Sequence, residues 1–179
     1  MCAVFRSSTA LAAVCFAFVT GGLFGGLAGS SPANAREVVA FSGAPSGTII
    51  VKTGERRLYL VLDNGRALAY PVGVGRAGRQ WAGRAFIDGK YVRPDWAPPA
   101  DIKREHPNLP DVIPGGSPRN PMGVAAMTLS GGGQYAIHGT NSPDSIGGYV
   151  SYGCIRMYNQ DIADLYERVG VGTPVVVTR

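Results

Sequence analysis

Eight prolines crowd the stretch from Asp95 to Pro121 and the residue just before it: Pro94, Pro98, Pro99, Pro107, Pro110, Pro114, Pro118 and Pro121. Each removes a backbone donor and fixes φ, which bars the stretch from helix interiors and central strands. It is therefore expected to be a long loop. Loops beyond about 12 to 15 residues in a compact domain are usually functional lids or disordered stretches, and Trp96 together with the prolines favours an ordered wall. Regular structure must come from the flanks. Upstream, "TIIVK", "RRLYLVL" and "ALAYPVGV" are short apolar or β-branched runs separated by "TGE" and "DNGR", with Asn64-Gly65 a strong hairpin signal. Asp88-Gly89, between "RAFI" and "KYVR", predicts a second tight turn. Downstream, "GVAAMTLS", "GGGQ" and "YAIHGT" read as strand, turn and strand, and "GTPVVVTR" as a closing strand. Ile162, Leu165, Tyr166 and Val169 fall on one helical face, with Asn159 expected as cap and Gly170 as stop. The expected fold is mostly β, an antiparallel sandwich or barrel with one or few short helices.

At 179 residues with 45% hydrophobic content, the chain has room for one core. Residues 1–35 stand apart: Arg6 is their only charge, a long apolar and Gly-rich run follows, and Ala33-Asn34-Ala35 closes it. These are the three parts of a signal peptide cut before Arg36, with an uncleaved anchor as the alternative. Residues 36–47 read as a short flexible tether and 48–179 as the folded domain. Lys and Arg number 17 against 12 Asp and Glu; losing Arg6 leaves 16 against 12, a net charge of +4. The basic residues are scattered, so nucleic acid is not indicated as a partner.

Removal of the signal takes Cys2 and Cys15, leaving Cys154 as the mature chain's single cysteine. It cannot form an internal disulfide, so in an oxidising compartment it is either buried and inert or reactive by design. A reactive thiol needs a base, and His106 and His138 are the two histidines available. His138 is preferred: it lies on an expected strand, 16 residues before Cys154, with Gly147-Gly148 between to let the chain turn back. Alternation in "YAIHG" puts Ile137 on one face and His138 on the other; in "CIRM" it puts Cys154 and Arg156 together, away from Ile155 and Met157. Gly153 would let a substrate carbonyl approach, with the N–H groups of 153 and 154 holding an oxyanion. Blander roles stay open: Gly153 as a turn, His138 as a hydrogen-bonded strand residue, Arg156 as a partner of Asp144 or Asp161. A metal site of Cys154, His138 and Asp144 lacks paired Cys or His spacing to support it.

The stretch "IHGTNSPDSIGGYVSYGCIRM" resembles the signature of the L,D-transpeptidase catalytic domain: H-G-T, a Gly-containing spacer, then S-x-G-C-I-R. "YPVGVG", "NPMG" and "DIADLYERVGVGTPVVV" are similar to the family's other landmarks, and the likeness covers about residues 48 to 179. The resemblance implies a β-sandwich-like fold with an open cleft, no cofactor, and export to the periplasm or cell wall. It makes Cys154 the nucleophile, His138 its base and the Gly139 carbonyl the orienter of the imidazole, with Arg156, Tyr152 and Ser151 toward substrate. The family often has His where Tyr152 stands, and a phenol cannot act as a base near neutral pH. The implied activity is acyl transfer from peptidoglycan tetrapeptide stems through a thioester, with release of D-alanine. The acceptor would be an amine of another stem (a 3,3 cross-link) or of an outer-membrane protein or lipoprotein. Water as acceptor would make a carboxypeptidase; a non-catalytic wall-binding module and a thiol protease are the rivals.

Overall fold

The computed structural model describes residues 36–131 and 135–179. The expected signal peptide at 1–35, and residues 132–134 of the "GGGQ" turn, lie outside the described residues. Among the described residues, eleven strands make two sheets. They are β1 (Glu37–Ala40), β2 (Ile49–Lys52), β3 (Arg57–Val61), β4 (Arg66–Pro71), β5 (Val74–Gly75), β6 (Gly83–Val92), β7 (Ala125–Leu129), β8 (Ala136–His138), β9 (Tyr149–Ser151), β10 (Ile155–Arg156) and β11 (Pro174–Thr178). Two α-helices join them, α1 (Ala100–Glu105) and α2 (Asn159–Arg168), with a 3₁₀ turn at Pro143–Ser145. The large sheet has nine strands in the order β1-β4-β3-β2-β11-β6-β7-β8-β10; β5 and β9 pair separately. Most pairings are antiparallel, but β11 with β2, β10 with β8 and β5 with β9 are parallel. The sheet does not close into a barrel. Its two halves share one core, with Val51, Leu58, Leu60 and Val177 from one end meeting Met127, Ile137, Ile155, Ile162 and Leu165 from the other, so the arrangement is sandwich-like.

Local chemistry explains the turns. Asn64 (φ 60°) and Gly65 (φ 67°) both take the left-handed region, as the tight turn between β3 and β4 requires. The turn expected at Asp88-Gly89 is instead a register shift inside the ten-residue β6. A bulge and a turn share the same Asp-Gly signal, and a Cβ at 89 would collide with Tyr91 and Thr128. The tether also reads differently, because Glu37 to Ala40 pair with Ala69 to Arg66 as β1.

One side chain gathers the base of the Pro-rich segment. Buried Asn120 donates its amide N–H groups to the carbonyls of Pro94 (2.9 Å), Ile113 (3.1 Å) and Pro114 (3.1 Å), and its oxygen accepts from the Met122 N–H (2.9 Å). A bridge between Trp96 and Ile113 closes the segment further out. The segment is not wholly loop, since α1 fits between Pro99 and Pro107; a proline just ahead of a helix gives up no donor that the helix needs. Helix α2 carries the expected apolar face, but Tyr158 precedes its first residue and Asn159 does not cap it. The Asn159 oxygen accepts from Thr140 N–H (3.0 Å) and its amide donates to Thr140 O (3.0 Å), tying α2 to the end of β8.

Candidate active site

Strands β8 and β10 run parallel, with Ile137 opposite Ile155 and His138 opposite Arg156. The two isoleucines are buried in the core, so alternation turns His138 and Arg156 to the other face, and Cys154, two residues before Arg156, with them. All three line a cleft of about 950 Å³ whose other walls include Tyr135, Met122 and, from the Pro-rich segment, Trp96, Pro98, Pro99 and Ile102. His106 is exposed at the end of α1 and does not line it. Asp144 is exposed on the 3₁₀ turn and does not line it either.

His138 is buried, and its Nδ1 meets the Gly139 carbonyl at 2.7 Å. A carbonyl only accepts, so Nδ1 carries the proton and the basic lone pair is on Nε2. Burial, and secondarily the charge of Arg156, push this imidazole down from 6.5 to about 4, while the carbonyls of Gly139 and Pro121 favour its protonated form. Burial pushes the Cys154 thiol up, against a hydrogen bond from the Ala136 backbone and the Arg156 charge, both of which favour the thiolate. The resting pair near neutral pH is thus thiol and imidazole. A proton passed from one to the other would leave an imidazolium braced by two carbonyls beside a thiolate near a guanidinium.

The turn that presents Cys154 is internally tied. Ser151 Oγ donates to the Cys154 carbonyl (2.6 Å) and accepts from the Gly153 N–H (3.1 Å). Trp81 Nε1 donates to the Gly153 carbonyl at 2.9 Å, and its ring stacks on Tyr135 at 4.8 Å. Gly153 has φ 121°, and a Cβ there would overlap the Tyr135 ring. Ser151 thus joins the Gly153 N–H and the Cys154 carbonyl into one turn.

Tyr152 is also committed. Its hydroxyl donates to Glu105 of α1, and Arg76 stacks over its ring at 4.2 Å. Arg76 binds Glu105 through one nitrogen at 2.8 and 2.9 Å, and Arg79 binds Asp101 at 2.8 Å. Where the family often places an imidazole, this chain uses a phenol that fastens α1 over the cleft rim. Arg156 differs from these arginines. Its Nε is buried without a hydrogen-bond partner, and no carboxylate among the described residues forms an ion pair with it, Asp144 and Asp161 included. Sequence reasoning missed Trp81, Tyr135, Asn120, Arg76, Arg79, Asp101 and Glu105. "NPMG" pointed near Asn120; the others carry no local signal.

The model of the YkuD L,D-transpeptidase catalytic domain matches residues 46–177. The "Probable L,D-transpeptidase ErfK/SrfK" of Escherichia coli strain K12 is 40% identical over 138 residues, 72% of this chain and 43% of that protein. The chain thus spans less than half the length of that curated relative. A solved structure from Brucella melitensis, titled a probable carnitine operon oxidoreductase, is 38% identical with TM-score 0.55, over 83% of this chain and 96% of that one. An L,D-transpeptidase from Mycobacterium smegmatis aligns with TM-score 0.54 at 20% identity, over 81% of this chain and 60% of that one, a likeness of fold. The Brucella title names a different activity, but the domain match spans nearly the whole described chain: the protein belongs to the YkuD L,D-transpeptidase catalytic domain family.

Proposed function

We propose that the chain is a cysteine-dependent L,D-transpeptidase of the cell wall, acting in the periplasm on peptidoglycan tetrapeptide stems. What supports this most is that His138 and Arg156, opposite each other on two paired strands, and Cys154, just ahead of the second strand, line one cleft in a member of this family. His138, neutral at working pH, takes the Cys154 proton as sulfur attacks the carbonyl of the stem's third residue, a diamino acid. The carbon–nitrogen bond then breaks, the imidazolium returns its proton to the leaving amine, and D-alanine departs from a thioester on Cys154. An acceptor amine attacks the thioester, loses a proton to His138, and the thiol re-forms. The acceptor is an amine of a second stem, giving a 3,3 cross-link, or of an outer-membrane protein or lipoprotein, anchoring it. The roof of α1 and the prolines narrows access of water to the thioester, favouring transfer over the carboxypeptidase outcome.

The test is incubation of the protein and its Cys154→Ala variant with tetrapeptide muropeptides, read by mass spectrometry. The wild type releases D-alanine and shows an acyl adduct on Cys154; the variant does neither. Absence of both from the wild type refutes the assignment.

A further inference from the structure

Asp88 is the carboxylate of the cleft that holds no cation. Arg79, Asp88, Asp101 and Arg156 are the charged side chains that line the cleft with the thiol and imidazole. Arg79 and Asp101 pair with each other at 2.8 Å, and the Arg156 charge acts on the Cys154 sulfur. Asp88 accepts a hydrogen bond from the Thr128 hydroxyl and forms no ion pair among the described residues. Its neighbour Lys90 is committed elsewhere, donating to the carbonyls of Tyr166 (2.6 Å) and Val169 (2.7 Å).

A bulge puts the carboxylate in the cleft. Ile87 faces Leu129 and Gly89 faces Thr128, so Asp88 is the extra residue with no partner on β7. Bulges gather beside active sites, where they re-aim a side chain. Thr128 stands opposite Ala136, and Ala126, two residues earlier, stands opposite His138, so Thr128 and His138 point to the same face of the sheet. Strands β6, β7, β8 and β10 are neighbours in that order, with Asp88 on the first and Cys154 just ahead of the last. The cleft thus carries an unpaired anion at the strand farthest from the reactive sulfur.

An exposed carboxylate in a cleft raises the local concentration of cations that arrive from solution. In the second half of acyl transfer the arriving reactant is a primary amine, which rests as ammonium at neutral pH. We propose that Asp88 is a specificity-determining residue for the acceptor: it draws the ammonium group into the cleft, so that the thioester meets an amine ahead of water. The ammonium gives one proton to water to become the nucleophile, and the proton released on attack passes to His138; Asp88 gains none. This rests on the acyl-transfer reading above. The group recognised is a primary ammonium, whether carried by the diamino acid of a second stem or by a lysine side chain of a protein.

The experiment acylates Cys154 with a tetrapeptide donor whose own amines are acetylated, so that the acceptor brings the ammonium. Three acceptors are compared at neutral pH: a stem tripeptide with a free side-chain amine, a short peptide with one lysine side-chain amine, and hydroxylamine, which is uncharged there. The readout is kcat/KM for each cationic acceptor divided by that for hydroxylamine, in wild type, Asp88→Asn, Asp88→Glu and Asp88→Lys, with circular dichroism confirming the fold. Asp88→Asn is expected to lower this ratio about 10-fold, the low end of the range for a charge-lined cleft. Asp88→Lys lowers it further and Asp88→Glu restores most of it. The cationic acceptor whose ratio falls more is the one the site serves. A carboxylate that only braces the bulge would change all three acceptors alike and leave the ratio intact, which would overturn the proposal. In wild type alone, the ratio falls as salt rises from about 0.05 to about 0.5 M. A ratio indifferent to salt, or a thioester that reacts with water and hydroxylamine but with neither cationic acceptor, overturns it without any variant that must fold. Failure of the donor to acylate the wild type would instead sink the acyl-transfer reading beneath it.

Discussion

The buried imidazole makes a prediction about acid stability that does not depend on any substrate. His138 titrates at about 4 in the folded chain against 6.5 ordinarily. Above pH 6.5 both states are neutral at this residue and its contribution is whole. As pH falls from 6.5 toward 4 the unfolded chain takes a proton that the folded one refuses, and stability is lost at 1.36 kcal/mol per unit of separation, about 3 kcal/mol in all. Asp161, on the first turn of α2, works in the opposite sense. Its carboxyl is buried, Oδ2 has no hydrogen-bond partner, and burial raises it from 3.8 to about 6. Its favourable contribution is whole below pH 3.8 and is lost as pH rises through 6, by about 2 to 3 kcal/mol. The two cancel over much of the window from pH 4 to 6.5, and single variants unmask them. Urea denaturation at pH 7 and pH 4 gives the change in stability for wild type, His138→Gln and Asp161→Asn. Relative to wild type, His138→Gln loses about 3 kcal/mol less on acidification, and Asp161→Asn loses about 2 kcal/mol more. If His138→Gln and wild type lose the same amount, the imidazole is not held neutral by its surroundings.

Four further outcomes follow from the site. The acid limb of kcat/KM for D-alanine release, which reports the free enzyme, falls near pH 4 because His138 is neutral above it; a limb near 6.5 would refute this. Iodoacetamide modifies Cys154 at pH 7 more slowly than it does a simple thiol, since burial raises this one; mass spectrometry over time distinguishes the two. Ser151→Ala removes both ties of the nucleophile turn, costing about 1 to 3 kcal/mol of stability by denaturant melt and lowering kcat more than it raises KM. The pair Tyr152→Phe and Glu105→Gln unfastens α1, and the ratio of hydrolysis to amine transfer rises, as chromatography of the products shows; an unchanged ratio would mean that the roof does not govern acceptor choice.

What could be read from the chain and what could not divide along physical lines. Short apolar or β-branched runs, such as "TIIVK" and "GTPVVVTR", declare themselves, and alternation puts His138 and Arg156 on the side of their strands away from the core positions of Ile137, Ile155 and Met157. Strand β1 was hidden because its four residues owe their order to pairing with β4, not to their own composition. Helix α1 was hidden because prolines on both sides left it six residues. The supports of the nucleophile turn were invisible for a different reason: Trp81 meets Gly153 across 72 positions, and Glu105 meets Tyr152 across 47. No local pattern encodes such meetings. Tyr152 shows the limit best, since sequence marks it as an odd residue in a signature and only its partner on α1 gives it work.

The Asn120 amide cinches the Pro-rich segment at its base, and the Trp96–Ile113 bridge seals it one step further out. Between those two fastenings, α1 is tied to the body again, by Arg76 and Tyr152 to Glu105 and by Arg79 to Asp101. A change in α1 is therefore felt at Tyr152, two residues before Cys154, so the roof and the reactive turn answer to each other.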